Sequence, residues 1–526
     1  MISSLLLPLL VAASPMPQAD VAVVCPRAFL PALRPWVAHR AGQGHRIEMI
    51  AAEQSAEDIR AAIRDLSKRE HLKYVLLIGD SRPTEDQPRS AWGRCVPTYY
   101  SKAEVNVRWG SEAEIATDNY YADLDSDRIP ELAIGRLTAD SPEELGRMVG
   151  KILAYENSSD FGPWRRQVNI VAGVGGFGAI TDGVVEMAAR RLIADGLPAA
   201  YRTTMTQASW RSPFCPLPSD FCDTTLSRLN EGCLFWVYMG HGHPHGLATV
   251  DVPGARHRIL ETGDLERLQC KSGHPIAFIM ACYTGAFDAR RDCLAEEMLR
   301  HPQGPVAVLS GSRVTMPYGM SVLGTGMLSE CFEKQCPLLG DLVLRAKQQL
   351  GKREAGDARR ATLDLIASVI SPAADQLAAE RLEHIELFNL IGDPLLRLRH
   401  PQQVDLEVPA EFVAGKPVVI KGKSPLQGEM IVELLSRRDR LTFEPQRRNK
   451  YDRSPRGQAD FSGTYQQAND RRWATTRQTV DRGAFRLKLQ VPQGAGGRAY
   501  VRCYIEGAED FAAGGREVML LPPATR

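Results

Sequence analysis

The 526-residue chain lacks a dominant charge: 64 Lys and Arg stand against 63 Asp and Glu, a formal net charge of +1. That balance excludes a strongly basic nucleic-acid binder and an acidic disordered chain. Its one membrane-like segment, LLLPLLVAA at 5–13, falls far short of the roughly 20 apolar residues a bilayer-spanning helix needs. No two cysteines have CxxC spacing, so a structural zinc ribbon is not expected. Gly and Pro are scattered without a period, which removes collagen-like and low-complexity readings. What is present is ordinary globular composition, 44% hydrophobic and 24% charged. The length predicts about three to four domains.

The apolar stretch resembles the core of a secretory signal, with Val11-Ala12-Ala13 as the small-residue cleavage site, although no Lys or Arg precedes it. A first core strand is the alternative. With a signal, residues 1–19 are a leader and the protein works outside the cytoplasm, secreted or in the cell envelope. Eleven cysteines leave an odd thiol in a monomer. Cys215/Cys222 and Cys331/Cys336 are close enough in sequence to pair in an oxidising compartment.

From Asp20, short Val/Ile/Leu runs alternate with helical spacing. DVAVVC (20–25), HRIEMIA (45–51), YVLLIGD (74–80) and ELAIGRL (131–137) read as strands, with helices expected at 27–42, 55–69 and 141–156. Ser141, Pro142 and Glu144 form a helix-start signal. A second unit, 158–401, follows a Gly/Pro/Ser/Asp linker at the end of the first, 20–157. It offers VNIVAG (168–173), CLFWVYMGH (233–241), PIAFIMAC (275–282) and GPVAVLSGS (304–312), with helices expected at 181–195, 320–334 and 339–352. Continuous apolar runs suit strands buried on both faces, so a mainly parallel sheet flanked by helices is expected. Residues 402–526 carry strand-and-turn patterns without a convincing helix, an all-β sandwich. Its stretch 437–456 holds eight Lys/Arg against three Asp/Glu, read as a solvated loop, with a patch for anionic surfaces as the alternative.

Two apolar strands end in reactive residues. WVYMGHGHPHG runs out at Gly240-His241-Gly242, and IAFIMACYTGAF at Ala281-Cys282. Ligands bind beyond the carboxyl ends of strands in open α/β sheets, so both side chains are expected at one crevice. An imidazole activates a thiol, and the amides of Gly242 and Cys282 are candidate oxyanion donors. Taken singly, a cysteine ending an apolar strand is commonly a small buried hydrophobe, and His before Gly a turn residue.

Together, the His-Gly and Ala-Cys pairs resemble the signature of the caspase, legumain and gingipain group of cysteine peptidases. Within that group the chain is similar to the gingipain-type family. YVLLIGD, TDNYYADLDSDRIPELAIGRL with a helix ending in KILAYE, YMGHG, MACYTGAF, DCLAEEML followed by GPVAVLSGSR, and FNLIGDPLLRL occur in that order across residues 20–400. The resemblance implies a caspase-like α/β fold with an immunoglobulin-like C-terminal domain and a secreted cysteine endopeptidase. Cys282 is then the nucleophile and His241 the general base. Glu131 matches the acidic residue behind the histidine, with a strand-edge charge as the alternative. Some relatives cleave after Arg or Lys through an acid at the pocket base. Asp140 is the positional candidate, and Ser312 and Tyr318 are candidates for the pocket wall. The family's long propeptide and its adhesin and sorting modules are not expected from these 526 residues, in which the first strand follows almost directly on the apolar stretch. The partners implied are polypeptides, with no nucleic acid, nucleotide or transmembrane segment, and a monomer is expected.

Three signals compete. His241, His243 and His245 alternate as zinc ligands do, the basis of a metallohydrolase alternative, but the HxHxDH pattern is not completed. Asp123, Asp125 and Asp127 have a spacing able to wrap a structural calcium ion, although Arg128 stands where an EF-hand has glycine. Catalysis itself is expected to need no cofactor. Gly173–Gly178 imitates a dinucleotide loop without an acidic partner strand, so a tight turn is expected. A catalytically silent scaffold of the same fold is the remaining alternative.

Overall fold

The computed structural model describes residues 19–85, 87–173, 196–352, 357–371 and 373–523. The apolar stretch at 5–13, the helix expected at 181–195 and residues 174–178 of the glycine loop lie outside them. Among the described residues, ten strands build the central sheet. The first four are β1 (Val21–Cys25), β2 (Ile47–Ala51), β3 (Tyr74–Ile78) and β4 (Ala133–Leu137). Then come β5 (Gln167–Ala172), β6 (Arg202–Gln207), β7 (Phe235–Met239), β8 (Ile276–Met280), β9 (Ala307–Gly311) and β10 (Phe388–Ile391). Their spatial order is β2-β1-β3-β4-β10-β9-β8-β7-β5-β6.

All neighbours are parallel except β9 and β10, which run antiparallel. The sheet is therefore two parallel runs of opposite direction joined at that seam. Strand ends that share an edge in one run lie at the opposite edge in the other. The strands are apolar on both faces because both are covered. Val21 and Val23 join one core with Leu33 and Trp36, whereas Ala22 and Val24 join another with Ile59 and Ile63.

The helices used below are α1 (Leu30–Gly42), α2 (Ala56–Arg69), α3 (Pro142–Glu156), α4 (Leu294–Arg300), α5 (Pro317–Leu328), α6 (Leu339–Gly351), α7 (Leu377–Leu387) and α8 (Pro455–Asn469). Ser141 caps α3 by accepting the Glu144 amide at 3.2 Å, with Pro142 in the first turn.

Beyond residue 401 two β-sheets enclose a separate core in which Val432, Leu434 and Val501 face Ile420, Leu487 and Leu489. One expectation fails there. Helix α8 stands in the region read as free of helix, started by Ser454, which accepts the Gly457 amide, and by Pro455. The helix buries Phe461 against Trp210 and Val252 of the α/β region.

The basic stretch is largely the exposed loop expected, with Arg440, Arg447, Lys450, Arg453 and Arg456 at the surface, but two half-buried arginines are docked on the α/β region. Arg438 is bound to the carbonyls of Leu197, Pro198 and Tyr201, and Arg448 to those of Trp210 and Ser212. Guanidinium forks satisfy backbone oxygens that docking would otherwise strand. Glu433 completes the joint between Arg502 at 2.7 Å and Arg166 at 3.3 Å. Burial alone would raise its carboxyl, but the two guanidinium groups hold it down to about 2. Replacing Glu433 by Gln leaves both cations buried without their anion. We expect a loss of about 3–5 kcal/mol in unfolding free energy, read from urea denaturation.

Candidate active site

The parallel register of β7 and β8 brings the two reactive residues together. Met239 pairs with Met280, and Gly240 N donates to Met280 O at 3.2 Å, so each chain reaches its reactive residue two positions past the last pair. His241 and Cys282 thus emerge side by side from neighbouring strands, which lie about 4.8 Å apart. Contact at the next residue is closer still. A Cβ built on Gly242 would stand 2.9 Å from the Cys282 carbonyl oxygen and 2.6 Å from Thr284 Cγ2. A side chain at 242 would collide with the chain that carries the cysteine, so glycine is required there. The His241 carbonyl accepts from Tyr238 Oη at 2.7 Å and from Ala248 N at 3.0 Å, which fixes the strand end.

The chain reverses sharply after the cysteine. Tyr283 has φ of +60°, a left-handed conformation that costs a bulky residue on the order of 1–2 kcal/mol. It is held by Tyr283 N to Arg313 O at 3.1 Å and by its hydroxyl donating to Glu112 at 2.9 Å. Arg313 in turn grips Asp288 at 2.6 and 2.8 Å. Cys282 is partly exposed at the head of this turn, and His241 is exposed. None of the eleven cysteines is paired, including 215/222 and 331/336. Burial pushes the other thiols up, to about 12 for Cys25, Cys95, Cys215 and Cys503 and to about 11 for Cys222, Cys270 and Cys336. Those thiols are poor nucleophiles.

Other expected site residues lie elsewhere. Glu131 precedes β4, whose start shares an edge with the ends of β7 and β8, but β10, β9 and β8 intervene. Four strand spacings separate it from β7, about 19 Å. Its carboxylate accepts the Leu124 amide at 2.7 Å instead, so it does not orient His241. Asp140 follows β4 and so falls at the opposite edge, where it pairs with Arg300 at 2.8 Å. It is not the base of a pocket at Cys282. Ser312 is fully buried and donates to Ala116 O at 2.8 Å, and Tyr318 is tied to Asp364 and Arg381. Neither offers a free wall. Thr315, which touches the Cys282 sulfur, carried no periodic or motif signal, and the MACYTGAF motif gave no sign of the strain at Tyr283.

The acidic loop differs from its expected ligand set. Asp123, Asp125 and Glu131 converge, with ligand atoms within 4.8 Å of one another, while Asp127 turns away to accept the Ile129 amide at 2.8 Å. Asp123 also accepts the amides of Ser126 and Arg128, both with positive φ. Burial and the neighbouring aspartates raise the Glu131 carboxyl, opposed by the Leu124 amide. Among the described residues, the groups of three metal-ligating side chains are this one and Asp80, Asp292 and Glu296. Neither includes a histidine. His245 instead points Nδ1 at the Asp292 carbonyl, 3.1 Å away, so the His241–His243–His245 series does not converge.

The fold and the His–Cys pairing define the gingipain-type class of cysteine peptidases. The profile of peptidase family C25 matches residues 14–399, and the chain belongs to that family. Gingipain R2 of Porphyromonas gingivalis is 23% identical over 329 residues, 60% of this chain and 39% of that protein. Lys-gingipain W83 of the same organism is 23% identical over 278 residues, 53% of this chain and 14% of that protein. The chain thus spans well under half the length of these curated relatives. The crystal structure of the Arg-specific cysteine proteinase gingipain R superposes with a TM-score of 0.52 at 16% identity, covering 97% of this chain and 99% of that one. At that identity the likeness establishes the fold.

The Arg300 cluster has a pH signature. Arg300 reaches Asp140, Asp292, Asp80 and Glu296 at once. Burial raises Asp292 to about 6 and Asp80 to about 7, with Arg300 pulling both down. A carboxyl that titrates higher when folded holds its proton more tightly in the native state. Native stability therefore falls as pH rises from about 4 through these values. An Asp292→Asn variant lacks its share of this loss. Relative to the parent it should gain on the order of 2 kcal/mol between about pH 4 and pH 7.5, as thermal melts will report. Parallel stability curves would refute the assignment.

Proposed function

We propose that this chain is a cysteine endopeptidase that hydrolyses peptide bonds through the Cys282–His241 dyad. The observation that carries the reading is the in-register pairing of β7 and β8, with Gly242 pressed against the Cys282 carbonyl. Cys282 Sγ attacks the scissile carbonyl carbon and forms a tetrahedral oxyanion. The amides of Gly242 and Cys282 donate to that oxygen, each contributing on the order of 10²–10³ in rate. His241 carries the thiol proton to the leaving amine, whose departure leaves a thioester. Water, deprotonated by His241, releases the acid and restores the thiol.

No step requires a metal or organic cofactor. The substrate is an extended polypeptide entering over the exposed His241 edge. An extracytoplasmic location follows from reading residues 5–13 as a secretion signal, and a monomer is sufficient for the chemistry. Among the described residues no helix is long and apolar enough to cross a membrane.

The test is covalent labelling with a peptidyl acyloxymethyl ketone alongside turnover of a mixed peptide library. The parent should take up one label per chain, and Cys282→Ala none. Turnover should fall by about 10³-fold or more in Cys282→Ala and His241→Ala. A parent that takes up no label and turns over nothing would instead support the silent scaffold. A Cys282→Ala chain that cuts as fast as the parent would remove the catalytic assignment.

A further inference from the structure

The loop between β9 and α5 reaches the sulfur directly. Thr315 N donates to Cys282 Sγ at 3.3 Å, Thr315 Oγ1 stands 3.6 Å from the same atom, and the Thr315 carbonyl 3.7 Å from it. As a thiol, Cys282 finds an acceptor in that carbonyl. As a thiolate, it finds two donors on the same residue, the amide and the hydroxyl. The hydroxyl proton has a competitor, since Oγ1 also donates to Met320 Sδ at 3.3 Å. A thioether is a weak acceptor and a thiolate carries full charge, so ionisation draws the proton toward Cys282.

Thr315 is held firmly in this position. It is 5% exposed, and a Cβ on Gly311 would stand 2.6 Å from its methyl group, so the strand end leaves that methyl only the space it fills. The next amide, Met316 N, donates to His384 Nε2 at 3.0 Å. His384 Nδ1 faces the Glu380 carbonyl at 2.7 Å and must donate there, which leaves Nε2 as the acceptor. Burial pushes this imidazole down to about 4, so it stays neutral in that tautomer. Glu380 itself accepts the Gly319 amide at 2.9 Å. Helix α7 thus clamps the start of α5 and aims Thr315 at the sulfur.

We propose that Thr315 is a catalytic residue whose amide and hydroxyl stabilise the Cys282 thiolate, with His384 as its positioning residue. This rests on Cys282 being the nucleophile. The other titratable or charged groups around this end of the sheet include Tyr238 of β7 and His241 just past it, Tyr283 on the following turn, Glu112 from the distant loop its hydroxyl reaches, and the Arg313–Asp288 pair.

The experiment follows alkylation of Cys282 by iodoacetamide against pH, with mass spectrometry of the peptide that carries it and Cys282→Ala as the blank. Thr315→Val keeps the shape and the amide but loses the hydroxyl. Its inflection should lie about one pH unit above the parent's, and that of Thr315→Ser within about 0.3 units of it. Met320→Leu removes the competing acceptor and should move the inflection down. Shifts of opposite sign are not produced by a merely structural threonine. Profiles of folded Thr315→Val and parent that superimpose would overturn the proposal. If Thr315→Val fails to fold, an unchanged inflection in Met320→Leu overturns it equally. Turnover on the same samples separates the two readings: a parent alkylated at low pH that cleaves no peptide defeats the peptidase reading and leaves the thiolate site standing.

Discussion

The parallel pairing of β7 with β8 is the constraint on which the candidate site depends. Parallel strands in register place their carboxyl ends level, so a reactive residue two positions past the end of each meets the other without long-range adjustment. The same pairing demands glycine at position 242, because the next step of one chain lies against the carbonyl of the other. Burial of both sheet faces makes a one-residue slip costly, since it would invert every side chain of the strand. The distance between imidazole and sulfur is thereby set by the core of the domain.

Around that pairing the molecule carries local strain and resists its relaxation. Tyr283 is left-handed immediately after the cysteine, and the turn it opens is tied back to Arg313 and Gly311. On the other side of the sulfur, α7 uses the buried His384 and Glu380 to hold the amides that begin α5. Further out, Arg438 and Arg448 dock the β-module by capping carbonyls of the α/β region, and Glu433 neutralises the buried cations at the joint. These contacts share one logic. Backbone polar groups that folding buries are satisfied by polar and charged groups arriving from distant sequence.

The antiparallel seam between β9 and β10 explains which expectations failed. Glu131 and Asp140 flank the same short strand, β4, and look equally near the dyad in sequence. Because the two runs of the sheet point in opposite directions, one lands at the right edge but several strands away, and the other at the wrong edge. Nothing local in either segment carries that information. Helix α8 is a different kind of miss, since its Ser454-Pro455 start falls in a stretch that was read only as a basic loop.

By itself, the amino-acid order determined the alternation of strands and helices, the β-rich region after residue 401, and the two strand ends bearing His241 and Cys282. Those features follow from short-range patterns: apolar runs buried on both faces, helix-start residues, and glycine next to reactive side chains. Tertiary structure alone decided which edge each loop reached, that Ser312 and Tyr318 turned inward, and that Thr315 came to rest on the sulfur. Strand order and direction are set by how the two runs of the sheet pack together, a property of contacts between residues far apart along the chain.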